Sequence, residues 1–348
     1  MSLTNFSNGV SSFGIPIIGG NPIPFTGKYY FVDPVYGSDG NKGTSPKRAF
    51  KTLYRAQIAC VAGNNDVVYL IGNGSSTGTA RLSLAIAQTV TPTATSGVLN
   101  WAKNACHLIG ITAPARVAQR ARIAPPTGIY TQANFGSGNF VNVTASGCMF
   151  ANISLFHGFS TGGVNQICWT DSGSRNAYFN MDIAGIADAT SAANTGSRSI
   201  KLGGAGSAEH YFQDCSFGID TVQRGVANAT LEFVGTPGAP RNLFRNCVFN
   251  FSASNAAVLG IITSGASTLD RWTMFENCAF MNAIQSTATT MTALSTLAAS
   301  SGGFLLFKDC ALVGITGFGS DATTRGQIWV VGDIGTAGTS GIAVAPTA

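Results

Sequence analysis

Charge is scarce in this chain of 348 residues. Only 10% are Asp, Glu, Lys or Arg, where a soluble domain usually carries about a quarter. Disorder maintained by self-repulsion is excluded by that scarcity and by a hydrophobic share of 45%. The net charge of +5 is modest and spread along the chain, so it does not point to nucleic acid as a partner. Glutamate occurs only as Glu209, Glu232 and Glu276, and histidine only as His107, His157 and His210. The eight cysteines include no C-x-x-C pair, which argues against zinc. No uninterrupted apolar run reaches transmembrane length. The N-terminus lacks the basic segment of a secretory signal and is broken by Gly and Pro. These absences lead to the expectation of a protein made and assembled in a cytoplasm, with neither membrane nor cofactor as a partner.

What is present is a repeat. Its clearest copies are Phe212-Gln-Asp-Cys-Ser-Phe217, Phe244-Arg-Asn-Cys-Val-Phe249, Phe275-Glu-Asn-Cys-Ala-Phe280 and Phe307-Lys-Asp-Cys-Ala-Leu312. Weaker copies begin at Phe150 and Tyr178, and Leu108-Ile-Gly-Ile111 is a further echo. From Tyr178 onward the leading aromatics recur at 34, 32, 31 and 32 residues. A fixed period of this length means stacked units, none of which buries its apolar face alone. Runs such as Gly203-Gly204-Ala205-Gly206-Ser207 exclude helical repeats. Within the phrase, Cys215 and Phe217, or Cys247 and Phe249, alternate with period two, which signals a strand. The third slot holds Asn or Asp, turn residues that tolerate a left-handed backbone. Each unit therefore reads as strand, tight corner, strand and long loop.

That pattern resembles the right-handed parallel β-helix of the pectate-lyase-like superfamily. The resemblance implies a corner ladder of Asn152, Asn180, Asp214, Asn246, Asn277 and Asp309, stacked from coil to coil. One core row is then Ile153, Met181, Cys215, Cys247, Cys278 and Cys310. A second is Leu155, Ile183, Phe217, Phe249, Phe280 and Leu312. The four cysteines read as small buried hydrophobes, kept as thiols in a reducing compartment.

The chain divides into an uncharged extended arm (1–28), a cap with a short helix (29–71), the β-helix coils (72–315) and a C-terminal strand and tail (316–348). The arm carries Phe6, Val10, Phe13, Ile15, Ile17, Ile18, Ile23 and Phe25 among glycines and prolines. It has no periodic face with which to build its own core, so docking on another subunit or another protein is expected, with folding back over the base of the helix as the alternative. Pro46 to Ala62 reads as an amphipathic helix with Phe50, Leu53, Tyr54, Ala56 and Ile58 on one side. Val32-Asp-Pro-Val-Tyr-Gly-Ser-Asp-Gly-Asn-Lys-Gly-Thr-Ser-Pro46 with Ala49-Phe-Lys-Thr-Leu53 resembles the N-terminal cap of many pectate-lyase-like proteins. Asp33, Asp39 and Asn41 in that loop are weak candidates for a Ca²⁺ site, with loop hydrogen bonding as the alternative.

Enzymes of this fold imply outward acidic groups on neighbouring coils, with Arg or Lys as base in the lyases. Glycoside hydrolysis needs two carboxylates about 5–10 Å apart. The outward slots after the corner are Ser154, Asp182, Ser216, Val248, Ala279 and Ala311, and only one of them is ionisable. No histidine is evidently paired with a nucleophile. The basic run Arg116, Arg120 and Arg122 reads as a solvated loop or a contact to an acidic partner. On this basis no catalytic residue is expected. The small outward residues Ser216, Val248, Ala279 and Ala311 suggest a face for homotrimer formation.

The opening Leu3-Thr-Asn-Phe-Ser-Asn-Gly-Val-Ser-Ser-Phe-Gly-Ile-Pro16, followed by the cap, is similar to structural proteins of tailed bacteriophages. That resemblance implies a non-enzymatic virion protein, a capsid decoration or cement protein held on the major capsid protein by its arm and exposed on the virion surface. The alternative is a tail-spike or fibre component that binds or degrades host surface polysaccharide.

Overall fold

Each copy of the repeated phrase folds as two short strands that meet at a sharp corner. The computed structural model describes residues 11–12, 15–16, 27–72, 82–83, 98–112, 121–123, 139–156, 166–186, 188–204, 207–235, 240–265, 268–283, 289–298, 303–321 and 327–332. Their strands build three parallel sheets of ten, eight and eight strands, each strand pairing with the equivalent strand one coil away. One coil runs through Tyr211–Gln213 in the first sheet, Ser216–Gly218 in the second and Ala229–Val234 in the third. The next runs through Asn242–Arg245, Val248–Phe251 and Leu259–Ser264. The fold is thus an all-β, right-handed parallel β-helix.

The corners work because their residues can sit at positive φ. Asn152, Asn180, Asp214, Asn246, Asn277 and Asp309 all lie between +49° and +58°, a region these side chains enter at little cost. Each corner N–H donates to a strand-end carbonyl of the next coil, as in Asn246 N to Glu276 O at 2.9 Å and Asn277 N to Lys308 O at 3.0 Å. Asn180 Nδ2 also donates to Asn152 Oδ1 at 3.0 Å. A second positive-φ column precedes the first sheet. It contains Asn65, Ala105, Gly147, Arg175, Glu209 and Arg241, and sequence reading did not anticipate it.

The interior is a set of stacked columns. The leading aromatics Phe150, Tyr178, Phe212, Phe244, Phe275 and Phe307 form one. Its ring centroids are 5.2, 4.3, 4.4, 4.8 and 5.0 Å apart. That repeat matches the roughly 4.8 Å spacing of paired strands. Phe217, Phe249 and Phe280 form a second column at 4.8 and 4.7 Å and meet the first edge-on, as in Phe212–Phe217 at 5.7 Å. The cysteines are free thiols, buried at Cys215, Cys247 and Cys278 and half-buried at Cys310. Burial pushes the Cys247 thiol well above its ordinary value.

The cap departs from the expected continuous helix. Pro46–Arg48 forms one 3₁₀ turn, and the α-helix α1 spans only Leu53–Ala59. Between them Phe50 is extended, bridges Val32 and exchanges backbone hydrogen bonds with Phe31 and Asp33. The demand of the first coil for a buried aromatic beside its edge strand outweighs helix continuation. Thr52 then caps α1 by accepting from Arg55 N. Starting at Leu53, the helix buries Leu53 and Ala56 and leaves Tyr54 and Ile58 exposed, so those two do not join the buried side. Phe6, Val10, Phe13, Ile17, Ile18 and Phe25, the tail from 333, and Arg116, Arg120 and His157 lie outside the described residues. Ile15 is described by its backbone alone, which pairs antiparallel with Ser12.

Truncation of Phe244, at the middle of the first column, removes two stacked neighbours and an edge contact at once. Phe244→Ala is expected to cost about 3–5 kcal/mol, read as a lowered urea midpoint with no change in the far-ultraviolet spectrum of the folded protein.

Candidate functional site

Of the residues singled out from the sequence, several are occupied within the chain. Asp39 accepts from Lys51 N and Thr52 N at 2.9 Å and from Thr52 Oγ1 at 2.8 Å. Asp33 accepts from Val35 N and Tyr36 N at 3.0 Å, and Asn41 donates to Ala49 O at 2.9 Å. These side chains hold the cap loop, and no metal-binding group of three is found among the described residues. Ser216, expected on an open oligomer face, is instead buried. It donates to Asp182 Oδ1 at 2.9 Å, while Ser154 donates to Oδ2 at 2.8 Å. A carboxylate placed between two serines of adjacent coils explains why that stretch of the row is covered. Val248 and Ala279 are half-buried and Ala311 is exposed.

The coil also assembles a polar network that sequence reading missed. Ser207 Oγ lies 3.0 Å from His210 Nε2, and His210 Nδ1 lies 3.5 Å from Asp171 Oδ2. Asp171 further accepts from Gly173 N at 2.8 Å, from Asn176 Nδ2 and from the Tyr178 hydroxyl. The order Ser–His–Asp is that of a nucleophilic triad. All three residues are buried, however, and Tyr178 and Phe212 flank the imidazole. A serine sealed in this way cannot meet a polymer, so the network serves the interior. Burial holds the His210 imidazole below its usual pKa. The only signal in the sequence was the three-residue spacing of Ser207 and His210.

The exposed chemistry lies on the outer faces of the first and third sheets. Trp272–Glu276 and Phe304–Lys308 alternate strictly, with Thr273, Phe275, Leu305 and Phe307 inward. Outward, Trp272 pairs with Phe304, and Met274 with Leu306, which in turn pairs with Trp329. Trp272, Phe304 and Trp329 are 36%, 36% and 46% exposed. Beside them runs a polar row of Gln213, Arg245, Glu276 and Lys308 in successive strands. Arg245 Nε is 2.9 Å and Lys308 Nζ 2.7 Å from the Glu276 carboxylate. Lys308 and then Arg245 hold Glu276 below the usual carboxylate range. At the leading edge of the same sheet, Glu209 is bound by Arg175 at 2.7 Å and Arg241 at 2.9 Å.

The outer row of the third sheet is Asn100, Asn142, Thr170, Lys201, Glu232, Ile262 and Thr296. Glu232 binds Arg198 at 3.0 Å and accepts from Ser264 Oγ. Both members of this ion pair are nearly buried. Deeper still, burial and the nearby Arg198 guanidinium bring Arg224 down to about 9. The ionisable outward residues therefore occupy the two sheets flanking the row that was read from the sequence.

No family model matches the chain, and no curated protein matches it. Solved structures do. The pectin methylesterase from Aspergillus niger, in deglycosylated form, is similar at a TM-score of 0.50 and 11% identity, over 89% of this chain and 85% of that one. A pectate lyase is similar at a TM-score of 0.51 and 12% identity, over 88% of this chain and 76% of that one. At such identities the likeness shows a shared fold. The expectation of a chain without enzymatic activity is corrected here. It rested on one sparsely charged row, and the proteins that share the fold are an esterase and a lyase.

The buried imidazoles give a pH signature. His107 accepts from Met149 N through Nδ1 at 3.0 Å, and burial brings it down to about 4, with Asp66 opposing. Its unfolded pKa is about 6.5. Between these values the unfolded chain binds more protons, so stability is full above about pH 6.5 and falls toward pH 4. His107 alone accounts for roughly 3 kcal/mol of that loss. Urea midpoints measured across this range are expected to fall with acid, and to fall less in His107→Gln.

Proposed function

We propose that this chain is a β-helical protein that engages polysaccharide along the outer face of its first sheet, as a tail-spike or fibre component engaging the surface polysaccharide of a host. The observation that carries the reading is the trio Trp272, Phe304 and Trp329 on three successive strands of the first sheet, where Trp272 pairs with Phe304 and Trp329 stands one outward position further along, opposite Leu306, all three exposed on the face that carries the hydrogen-bonding row. Exposed apolar residues gathered on one face can mark an interaction site. Rings fixed by strand pairing lose little freedom when a ligand lies on them. Sugars offer apolar C–H faces to the rings and hydroxyls to Gln213, Arg245, Glu276 and Lys308. A rigid, repeating scaffold presents the same spacing to each repeat of a polymer. The phage resemblance of residues 3–16 supports the tail-spike form of the reading. The shared fold with a methylesterase and a lyase makes chemistry on the bound polymer part of the test.

Affinity electrophoresis against bacterial capsular and O-antigen polysaccharides, pectin, polygalacturonate, hyaluronan and dextran tests this directly. Retardation by at least one polymer is expected, with assays for new reducing ends and for unsaturated products on each polymer that binds. Trp272→Ala and Trp329→Ala are each expected to weaken binding about tenfold, close to 1.4 kcal/mol, without loss of fold. Binding that is indifferent to both substitutions, or no binding to any polymer, would remove the proposal.

A further inference from the structure

Cys60 and Cys106 belong to no copy of the repeated phrase. Cys60 is the C-cap of α1, and Cys106 opens the strand Cys106–Ile111 of the first sheet. They are 46 residues apart in the chain, yet coiling brings their thiols into hydrogen-bond contact. The backbone around them is just as close. Cys106 Sγ lies 3.5 Å from Val61 O. Lys103 Nζ donates to Cys60 O at 2.5 Å and to Ile58 O at 2.7 Å. The end of the cap helix is thus clamped to the segment that leads into that strand.

The stacked thiols of the repeat are held differently. Cys247, Cys278 and Cys310 donate to the carbonyls of the leading aromatics Phe212, Phe244 and Phe275, at 3.8, 3.5 and 3.3 Å, so they are tied into the sheets themselves. Cys106 is instead covered by a surface turn. Val61, whose carbonyl its sulfur touches, is 54% exposed, and Ala62, Gly63 and Asn64 beyond it are exposed as well. Lifting such a turn is a local opening, far less costly than unfolding a coil. Cys60 stands at the root of the turn with an extended backbone, φ −64° and ψ 152°, so its side chain can rotate without breaking the helix. The hydrogen bond from Cys60 holds the Cys106 thiol below its ordinary value, with Lys103 adding to the effect and burial and Asp66 opposing it. The same contact raises Cys60. Thiolate character of this kind selects the attacking sulfur.

We propose that Cys60 and Cys106 are a disulfide-forming pair, closed by exchange with a low-molecular-weight disulfide such as oxidised glutathione. Cys106, as the thiolate, attacks one sulfur of that disulfide; its S–S bond breaks and the departing thiolate takes up a proton. The Cys60 thiol then gives up its proton and attacks the Cys106 sulfur of the mixed disulfide, expelling the second small thiol. Two cysteine thiols and one small disulfide become one protein disulfide and two small thiols. The covalent bond is about 2.0 Å long, and side-chain rotation closes the sulfurs to it from hydrogen-bond contact. The link ties the end of the cap helix to the first sheet. It reinforces the cover over the edge strand Tyr29–Val32, where the Tyr30 hydroxyl already donates to Ala59 O at 3.1 Å.

The test uses the full chain, reduced, incubated with glutathione disulfide, alkylated in urea, digested and mapped by mass spectrometry. The expected product has lost two hydrogen atoms, yields a linked pair of peptides containing Cys60 and Cys106, and carries the alkyl group on the other six cysteines. Its urea midpoint rises, because the link constrains the unfolded chain, and returns to the starting value on reduction. Cys60→Ser is expected to stop at the mixed disulfide, with one glutathionyl group on Cys106, whereas Cys106→Ser gains none. Circular dichroism checks the fold of both variants, and the map of the unsubstituted chain decides the matter where a variant fails to fold. Alkyl groups on both Cys60 and Cys106, or a link between Cys278 and Cys310 in place of theirs, would overturn the proposal. A glutathionyl group on Cys60 in Cys106→Ser would overturn the assignment of Cys106 as the attacking thiol.

Discussion

The structure depends on one constraint: six successive coils, from Phe150 to Phe307, place an aromatic ring over the ring of the coil below at the spacing of paired strands. Phe150 to Phe307 meet that requirement with centroid separations from 4.3 to 5.2 Å. Each buried ring contributes roughly 1.5–3 kcal/mol, and offset or edge contacts add about 0.5–1.5 kcal/mol per pair. Register follows from it. A slip by one residue would turn each ring of a strand to solvent, so the columns fix which outward residues become neighbours.

That is how a sequence with few charges makes ionic ladders. Glu276 lies 31 residues beyond Arg245 and 32 before Lys308, and coiling brings all three to one edge of one sheet. The repeat length that preserves the interior columns also sets the outward spacing. The variation in unit length falls between the strands, which leaves strand and corner positions in phase. The same coiling collects Ser154, Asp182 and Ser216, or Ser207, His210 and Asp171, into closed networks. These polar groups are paired inside the coil, while the ionic rows stand outside it.

Much of this was legible in the sequence, and the failures have physical causes. The corner could be read because Asn and Asp are the side chains that accept a left-handed backbone, and the two core rows because Cys215 and Phe217 alternate beside it. The row before the corner was harder. Only its inward aromatic repeats, while outward it varies through Tyr211, Leu243, Met274 and Leu306, so inspection of the row after the corner missed both aromatics and ions. The leading corner was hidden because Arg175, Glu209 and Arg241 are not residues that signal positive φ. The cap helix was read too long because Phe50 fits a helical stripe as well as an edge bridge, and only the partner strand Tyr29–Val32 decides between them.

The account is tested most directly by a crystal structure of the chain soaked with an oligosaccharide of a polymer that retards it in affinity electrophoresis. It predicts sugar density on the outer face of the first sheet, against Trp272, Phe304 and Trp329. Density confined instead to the outer row of the third sheet, over Thr170, Lys201 and Glu232, would contradict it.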